Sequence, residues 1–302
     1  MNDAIHRFLL EDLDIRGAVV QLGESWRDML TRRNYPPAVR NLLGKLAAVT
    51  AIIAGNLKSG HRMTFQLQGH GPVSMLVMDC QAIEDGPLHM RGMARGRWQH
   101  NEERSDSAVP PAPTFADDTG ISDLLGDGKL VLTLYQGEGH NYQSVVPLEG
   151  DGIAAVFEHY LLQSEQQPAQ LWLFADETSA CGLFIQCLPG AATRDADGWN
   201  RIRQLAATLQ AGELTLPPDQ LLNRLFGEEA VRLFDPRPVH WHCPRDEAKV
   251  REMLISLGRE EVESMLEDTG VIQVDDEICG HEYRFEQDVI DELFPSAQRT
   301  LH

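Results

Sequence analysis

The segment 36–60 has the sequence PPAVRNLLGKLAAVTAIIAGNLKSG, and it predicts the helix around which the first half of the chain folds. Proline is favoured at the first position of a helix and glycine just past its last, so Pro36 and Pro37 mark the start and Gly60 marks the end. Apolar residues recur at the three- and four-residue spacing of one helix face. They are Val39, Leu42, Leu43, Leu46, Val49 and Ile53.

Several segments around this helix are predicted to be strands, and the first of them alternates between apolar and polar residues at Met63, Phe65 and Leu67. The segments are RMTFQLQGHGPVSMLVMDC, with a Gly/Pro turn between two strands, and LHMRGMAR, KLVLTLY, QLWLFA and GLFIQCLPG. A second helix, GIAAVFEHYLLQ, lies among them, and the polar, proline-rich residues 97–120 are expected to form a long surface loop. The sequence therefore predicts an α+β fold that begins with a mixed α/β domain, residues 1–192, built on a β-sheet and a long helix.

Residues 193–237 have a different sequence pattern from the first domain. Here two amphipathic helices, DADGWNRIRQLAATLQAGEL and PDQLLNRLFGEEAVRLF, are predicted on either side of the turn TLPP. Their apolar stripes consist of Trp199, Ile202, Leu205, Leu209, Leu221, Leu222, Leu225 and Phe226. In one interpretation the helices form a linker packed on the first domain. In the other, this packing is marginal and the stripe opens to a partner. Residues 238–302 are predicted to form a small α+β module, and units of this size usually need a metal, a disulfide or a neighbour.

The composition excludes several classes of protein. A formal net charge of −20 repels the phosphate backbone of nucleic acids. The N-terminus has no signal peptide, and no run of about 18 apolar residues predicts a membrane helix, so a cytoplasmic location is expected. No nucleophile elbow, phosphate loop or distinct carboxylate pair indicates an enzyme. The odd count of five cysteines argues against a disulfide framework, and Cys80, Cys181 and Cys187 are expected to be buried and inert.

Two segments carry one cysteine each among histidines and acids: HWHCPRDEAKV, which contains Cys243, and VDDEICGHEYRF, which contains Cys279. Structural zinc sites take four ligands, commonly two from each of two short segments. Together with His242 and His281 the cysteines would make a Cys₂His₂ set. However, neighbouring side chains in an extended segment point to opposite faces, so His242 and Cys243 do not easily reach one ion. The spacing therefore indicates zinc only weakly.

Blocks along nearly the whole chain resemble one known family. The blocks are RGAVVQL, YPPAVRNLLGKLAAVTAIIAGNLK, MTFQLQGHGPVSMLV, MRGMAR, GDGKLVLTL, YQSVVPL, HYLLQSEQQP, GLFIQCLPG, LLNRLFGEE and VREMLISLGREEVESMLEDTGVIQV. In order and content they resemble the redox-regulated heat-shock protein 33 family, and the loop at 97–119 looks like an insertion. The resemblance implies an α/β N-terminal domain, a metastable helical linker and a small zinc-binding C-terminal domain.

The resemblance also implies a function. Members of that family are cytoplasmic chaperones of the holdase kind, which work without ATP and bind unfolding client proteins under stress. Oxidation forms disulfides within each cysteine pair, expels zinc and unfolds the linker, and a homodimer often results. We expect the same class of function here, with neither nucleic acid nor membrane as a partner.

The sequence departs from the family pattern at the metal ligands. The family has Cys-x-Cys and Cys-x-x-Cys, and the matching positions here are Cys243 and Arg245 in the first pair, and Asp276 and Cys279 in the second. Two of the four family cysteines are therefore replaced. For this reason no cofactor is predicted, and zinc is left as an alternative.

Three hypotheses describe the altered site. In the first, an Arg245–Asp276 ion pair takes the place of zinc. In the second, Cys243 and Cys279 form a single disulfide that joins the two segments and stabilises the module, which reverses the sign of redox control. In the third, zinc binds Cys243, Cys279, His281 and either Asp276 or a histidine.

The predicted function is an ATP-independent holdase with weakened or altered redox and zinc control. The linker residues expected to contact clients are Trp199, Ile202, Leu205, Leu209, Leu222, Leu225 and Phe226. Two alternatives remain open. One is a binding or regulatory protein that keeps the fold without chaperone activity. The other is a thiol switch operated by a Cys243–Cys279 disulfide.

Overall fold

The protein, seen as a computed structural model, divides into two compact units, residues 1–242 and 243–302. The structure describes residues 3–31, 33–98, 115–116, 119–136 and 141–294. Most of the loop predicted at 97–120 lies outside the described residues. The linker predicted at 193–237 falls within the first unit, and the three-part division into 1–192, 193–237 and 238–302 stays a prediction.

Within the described residues, the strands of the first unit form an eleven-stranded sheet. They are β1 Ala4–Leu10, β2 Ile15–Leu22, β3 Arg62–Gly69, β4 Val73–Ala82, β5 Leu88–Gly96, β6 Gly128–Tyr135, β7 Asn141–Pro147, β8 Ala169–Ala175, β9 Ala180–Cys187, β10 Val231–Leu233 and β11 Arg237–Trp241. The order across the sheet is β7-β6-β3-β4-β5-β11-β1-β2-β9-β8, and β10 pairs with a second stretch of β1. The pairs are antiparallel except β5 with β11, which run parallel with Val239 opposite Leu88.

The helices of the first unit are α1 Glu24–Leu30, α2 Pro37–Ala54, α3 Ile121–Leu125, α4 Ile153–Glu165, α5 Ala191–Arg194, α6 Gly198–Ala206 and α7 Pro218–Phe226, with a short 3-10 helix at Ala211–Thr215. Most residues of α2 are buried, and it contacts β2, β4, β5, β8, β9 and α4. By length and composition alone α2 could cross a membrane, but 72% of it is buried inside the protein, as in the core helices of soluble proteins. The predicted core helix is confirmed.

The end of α2 differs from the prediction, because the helix stops at Ala54 and not near Gly60. Arg237 of β11 donates from Nη1 to the carbonyls of Gly55 (3.4 Å) and Leu57 (3.2 Å), just past the last turn. A cation at this end satisfies free carbonyls and matches the helix dipole. Gly60 instead has a φ of +77° and belongs to the turn before β3.

The second unit contains α8 Glu247–Leu257, α9 Arg259–Thr269, a hairpin of β12 Ile272–Asp276 and β13 His281–Phe285, and α10 Val289–Leu293. Asp246 caps α8 by accepting a hydrogen bond from the Lys249 N–H (3.1 Å). Its small core consists of Leu254, Val262, Leu266, Ile272, Tyr283, Phe285, Val289 and Ile290. With helices and strands in both units, the predicted α+β class is confirmed.

A close approach at Gly44 gives a test of the α2 packing. A Cβ at this position would lie 2.5 Å from the Cβ of Ala175 and 3.0 Å from Cζ2 of Trp26. We expect Gly44→Ala to lower the free energy of unfolding of the first unit by about 1–3 kcal/mol, because overpacking outweighs the gain in helix propensity. Thermal unfolding followed by tryptophan fluorescence measures this, since all five tryptophans lie in the first unit.

The matched control is Gly212→Ala, because no heavy atom lies within 4 Å of a Cβ built at Gly212. Its melting temperature should stay close to that of the parent protein. Equal melting temperatures for the Gly44→Ala and Gly212→Ala proteins would contradict the close packing of α2.

Candidate functional site

The two cysteines of the candidate site are joined by a disulfide between Cys243 and Cys279, with 5.6 Å between their Cα atoms. Both residues are buried. Cys243 lies in the extended segment before α8, and Cys279 lies in the turn between β12 and β13. The predicted bond is therefore present in the structure. Its role as a redox switch stays a prediction.

Asp276 shapes the turn that presents Cys279. Its Oδ1 atom accepts hydrogen bonds from the backbone N–H groups of Ile278 (3.0 Å) and Cys279 (3.2 Å), and its carbonyl accepts from the Gly280 N–H (2.6 Å). Gly280 has a φ of +68°, which glycine adopts without strain. A carboxylate that bonds to backbone groups two and three residues ahead is a common way to stabilise a tight turn.

The segment around Cys243 is held to β13 by contacts that need no metal. His281 donates from Nε2 to the carbonyl of Cys243 (2.8 Å), and the Asp246 N–H donates to the hydroxyl of Tyr283 (2.9 Å). Arg245 donates to the carbonyl of Glu282 (2.6 Å), and its guanidinium lies 5.0 Å from the centre of the Tyr283 ring. Cation–π contacts of this kind favour a fixed guanidinium position.

The Arg245–Asp276 ion pair of the first hypothesis is wrong. Among the described residues, Arg245 interacts with the Glu282 carbonyl and the Tyr283 ring, while the Asp276 carboxylate accepts from the backbone of its own turn. Both groups therefore have other partners: Arg245 contacts strand β13, which lies far along the chain, and Asp276 contacts the backbone of its own turn. An exposed ion pair offers too little free energy to displace such contacts.

The residues present do not fit a zinc site in this arrangement. The sulfurs of a disulfide are not thiolates, the form of cysteine that binds metal, and Nε2 of His281 is engaged with the Cys243 carbonyl. His242 belongs to the first unit, where its ring stacks on that of His89 with 4.0 Å between centroids. In the part of the chain that the structure describes, no group of three or more His, Cys, Asp or Glu side chains is arranged to hold a metal.

The other three cysteines are buried in the first unit and have free thiols: Cys80, Cys181 and Cys187. Burial raises the pKa of each of these thiols, in the case of Cys181 to about 11. A thiol with a raised pKa is protonated near neutral pH and reacts slowly. Their burial agrees with the expectation that they are inert.

The linker packs its apolar stripe against the sheet. Four of the predicted client-contact residues are buried: Ile202, Leu222, Leu225 and Phe226. The other three are partly buried against the same cluster: Trp199, Leu205 and Leu209. The sheet side chains beneath them are Phe8, Leu10, Ile15, Val19, Cys181, Leu183 and Ile185, which we call the covered face. The structure thus brings all seven candidates to one surface, and their contact with clients stays a prediction.

Charged residues within the linker pair with one another. Arg201 of α6 pairs with Asp195 (3.0 Å) and with Glu229 beyond α7 (2.9 Å). Arg224 of α7 pairs with Glu213 of the 3-10 helix (2.7 Å). These pairs are about one-third exposed on the arginine side, so screening by water and salt keeps their contribution small.

Sequence reasoning missed Gln21. This residue of β2 is only 4% exposed, and its side-chain amide donates to the carbonyls of Leu214 (2.7 Å) and Leu216 (2.6 Å) in the linker. The signal available in the sequence was one polar residue within the apolar run AVVQL. A polar side chain in such a run needs a partner, but the pattern does not indicate which one.

Comparisons with known proteins agree with one another. A family model described as Hsp33 protein matches residues 3–286. The 33 kDa chaperonin of Nitrosococcus oceani is 41% identical over 294 residues, which cover 97% of this chain and 94% of that protein. The 33 kDa chaperonin of Shewanella baltica is 36% identical over 299 residues, which cover 99% of this chain and 98% of that protein.

A solved structure is similar in fold. The crystal structure of the 33 kDa chaperonin (heat shock protein 33 homolog) from Thermotoga maritima superposes with a TM-score of 0.77 at 21% sequence identity. The match covers 97% of this chain and 98% of that one. At this identity the likeness supports the fold alone.

Breaking the disulfide tests its structural role. The bond closes a loop with a sequence separation of 36, so Cys279→Ser should lower the free energy of unfolding of the second unit by about 3–4 kcal/mol in the chain-entropy model. Hydrogen exchange of the backbone amides in α8, α9 and β13 measures this. Reduction of the parent protein should have the same effect.

The control is Cys187→Ser, which changes a buried free cysteine of the first unit and should leave exchange in the second unit unchanged. Thiol counting in denaturant should give three groups before reduction and five after. Five thiols before reduction, in protein purified without reductant and exposed to peroxide, would exclude the bond.

Proposed function

The chain belongs to the Hsp33 family, and we propose on that basis that it is a molecular chaperone that holds unfolding proteins without ATP. The observation that carries the proposal is the match to relatives named 33 kDa chaperonin over nearly the whole of both chains. The resemblance inferred from the sequence blocks is thereby confirmed. The prediction that the chain is not an enzyme agrees with these names.

The linker and the net charge support a holdase. A holdase must expose apolar surface to bind clients and must stay soluble while it does so. Release of the linker would expose both its own stripe and the covered face beneath it. A net charge of −20 opposes self-association of molecules in that open state.

We propose that unfolding stress such as heat, acting on the linker, is the main trigger. The linker helices α6 and α7 are short, and isolated helices of this length are marginal in water. Their stability therefore depends on packing against the sheet. A rise in temperature that weakens this packing releases the linker before the larger core around α2 unfolds.

A thiol switch is the second candidate, and the Cys243–Cys279 disulfide supports it. This bond joins the segment before α8 to the β12–β13 turn, so its formation stabilises the second unit. In the resembled family each disulfide forms within one cysteine pair and accompanies unfolding. We therefore propose that oxidation here favours the folded second unit and that redox control has the opposite sign.

Partners and location follow the same proposal. The partners are unfolding client proteins, with a second copy of the chain in the active state. We propose a cytoplasmic protein that needs neither nucleic acid nor a membrane. A binding or regulatory protein on the same fold is the competing possibility, and the absence of client protection in every condition would favour it.

Client protection tests the proposal directly. Light scattering of a thermally unfolding client is followed with the protein reduced, oxidised and treated with chelator. We expect suppression in all three states, with a lower onset temperature when reduced, because only the oxidised protein has the stabilising disulfide. The Cys243→Ser/Cys279→Ser protein should behave like reduced protein under oxidising conditions, and Cys187→Ser should behave like the parent.

Suppression confined to the oxidised state would point to the family's usual thiol switch. No suppression in any state, up to the temperature at which the first unit melts, would reject the chaperone proposal.

Metal analysis tests the proposed loss of zinc. Protein purified in reductant should contain well below one zinc per chain, because the positions of two family ligands hold Arg245 and Asp276, and Asp276 is used in its own turn. One tightly bound zinc per chain, lost on Cys243→Ser, would instead support the rebuilt site of the third hypothesis.

A further inference from the structure

Between its two ends, where Arg194 bonds to Asp14 and β10 pairs with β1, the linker is hydrogen-bonded to the sheet by one buried polar side chain. Gln21 lies in β2, and its side chain is on the same face of the strand as those of Ile15 and Val19, which belong to the covered face. Both hydrogens of its amide are used, one for the Leu214 carbonyl and one for the Leu216 carbonyl. Over residues 195–229, the described part of the chain shows no other hydrogen bond from the sheet to the linker.

The linker needs these donors because two prolines follow the 3-10 helix and cannot donate hydrogen bonds to its carbonyls. In a continuing helix the carbonyl of Leu214 would accept from the N–H three or four residues ahead. Those residues are Pro217 and Pro218, which have no N–H. The carbonyl of Leu216 is also free of the helix, since Leu216 has a ψ of 152° and turns the chain away. A buried carbonyl without a donor is unfavourable, so the prolines create a requirement at Leu214 that Gln21 meets, and the same amide also serves the part-buried carbonyl of Leu216.

The free backbone groups at the two ends of the 3-10 helix Ala211–Thr215 therefore find their hydrogen-bond partners in different ways. Its N-terminus is closed by the linker itself, because Gln210 and Glu213 form a capping box. Its C-terminus is closed by Gln21 from the sheet. The apolar contacts of the covered face are non-directional and permit small shifts of the linker, whereas hydrogen bonds have fixed geometry.

We propose that Gln21 is the latch that holds the linker closed and sets its register on the sheet. It is a positioning residue and contacts no client. The link from the latch to client binding rests on the proposed function, but the latch itself is a property of the protein alone. Losing the two donors removes the directional contact and leaves the Leu214 and Leu216 carbonyls unpaired in the closed state. The equilibrium then shifts towards the open linker.

Hydrogen exchange without any client tests the latch. In Gln21→Leu, amides of α6, the 3-10 helix and α7 should exchange at least tenfold faster than in the parent, which corresponds to about 1.4 kcal/mol. Amides of α2 should keep their protection. Gln21→Glu, which keeps the size of the side chain and removes both donors, should accelerate linker exchange as well.

The matched control is Gln186→Leu. Gln186 is a glutamine of the adjacent strand β9, is 1% exposed, and faces Arg16 and Glu165 away from the linker. Linker exchange should not change in this variant. Unchanged linker exchange in Gln21→Leu overturns the latch, and so does equal acceleration of α2 and the linker, because Gln21 would then stabilise the whole unit.

A client assay separates the latch from the proposed function. If both hold, Gln21→Leu suppresses light scattering from a lower temperature than the parent does. Faster linker exchange with no suppression at any temperature leaves the latch standing and rejects the chaperone proposal. Suppression that begins at the parent's temperature despite faster linker exchange would show that the latch does not control client access, and would overturn its proposed role.

Discussion

The constraint on which the first unit depends is that strands β2 and β9 are buried on both faces. Nearly every residue of these two strands is buried. Strands of this kind must be covered on each side. Helix α2 covers one face as part of the main core, and the linker covers the other. The two covers differ in kind, because α2 is long and mostly buried, while α6 and α7 are short helices with polar outer faces.

The second unit solves a different problem, that of a core too small to be stable alone. The core of its described part is a cluster of eight buried apolar side chains, and in small domains a covalent or metal crosslink usually supplements such a core. Here a disulfide, the His281 bond to the Cys243 carbonyl and the Arg245–Tyr283 contact join the same two segments. A single bond between the segments limits the denatured chain more than bonds within each segment would, since it closes a longer loop.

Periodicity was enough to predict α2, the strands β3 to β6, β8 and β9 and the apolar stripe of the linker, because each is a pattern of burial along one element, whereas β1, β2, β7 and β11 were not predicted as strands. What could not be predicted depends on contacts between distant residues. Arg237 bonds to the carbonyls just past the early end of α2, and Gln21 bonds to those of the linker. The Arg245–Asp276 pair was wrong because opposite charges at aligned positions do not reveal competing partners, which are the Glu282 carbonyl and the Tyr283 ring for Arg245 and the turn backbone for Asp276.

The position of β11 means that the linker is attached to the sheet at both of its ends. The linker leaves the sheet at the end of β9 and returns to it through β10 and β11, which pair with β1 in the interior of the sheet. A displaced linker is therefore a loop anchored at both ends and not a free tail. Reclosure is a first-order process whose rate does not depend on protein concentration, and the span of the loop limits how far a captured polypeptide can move from the sheet.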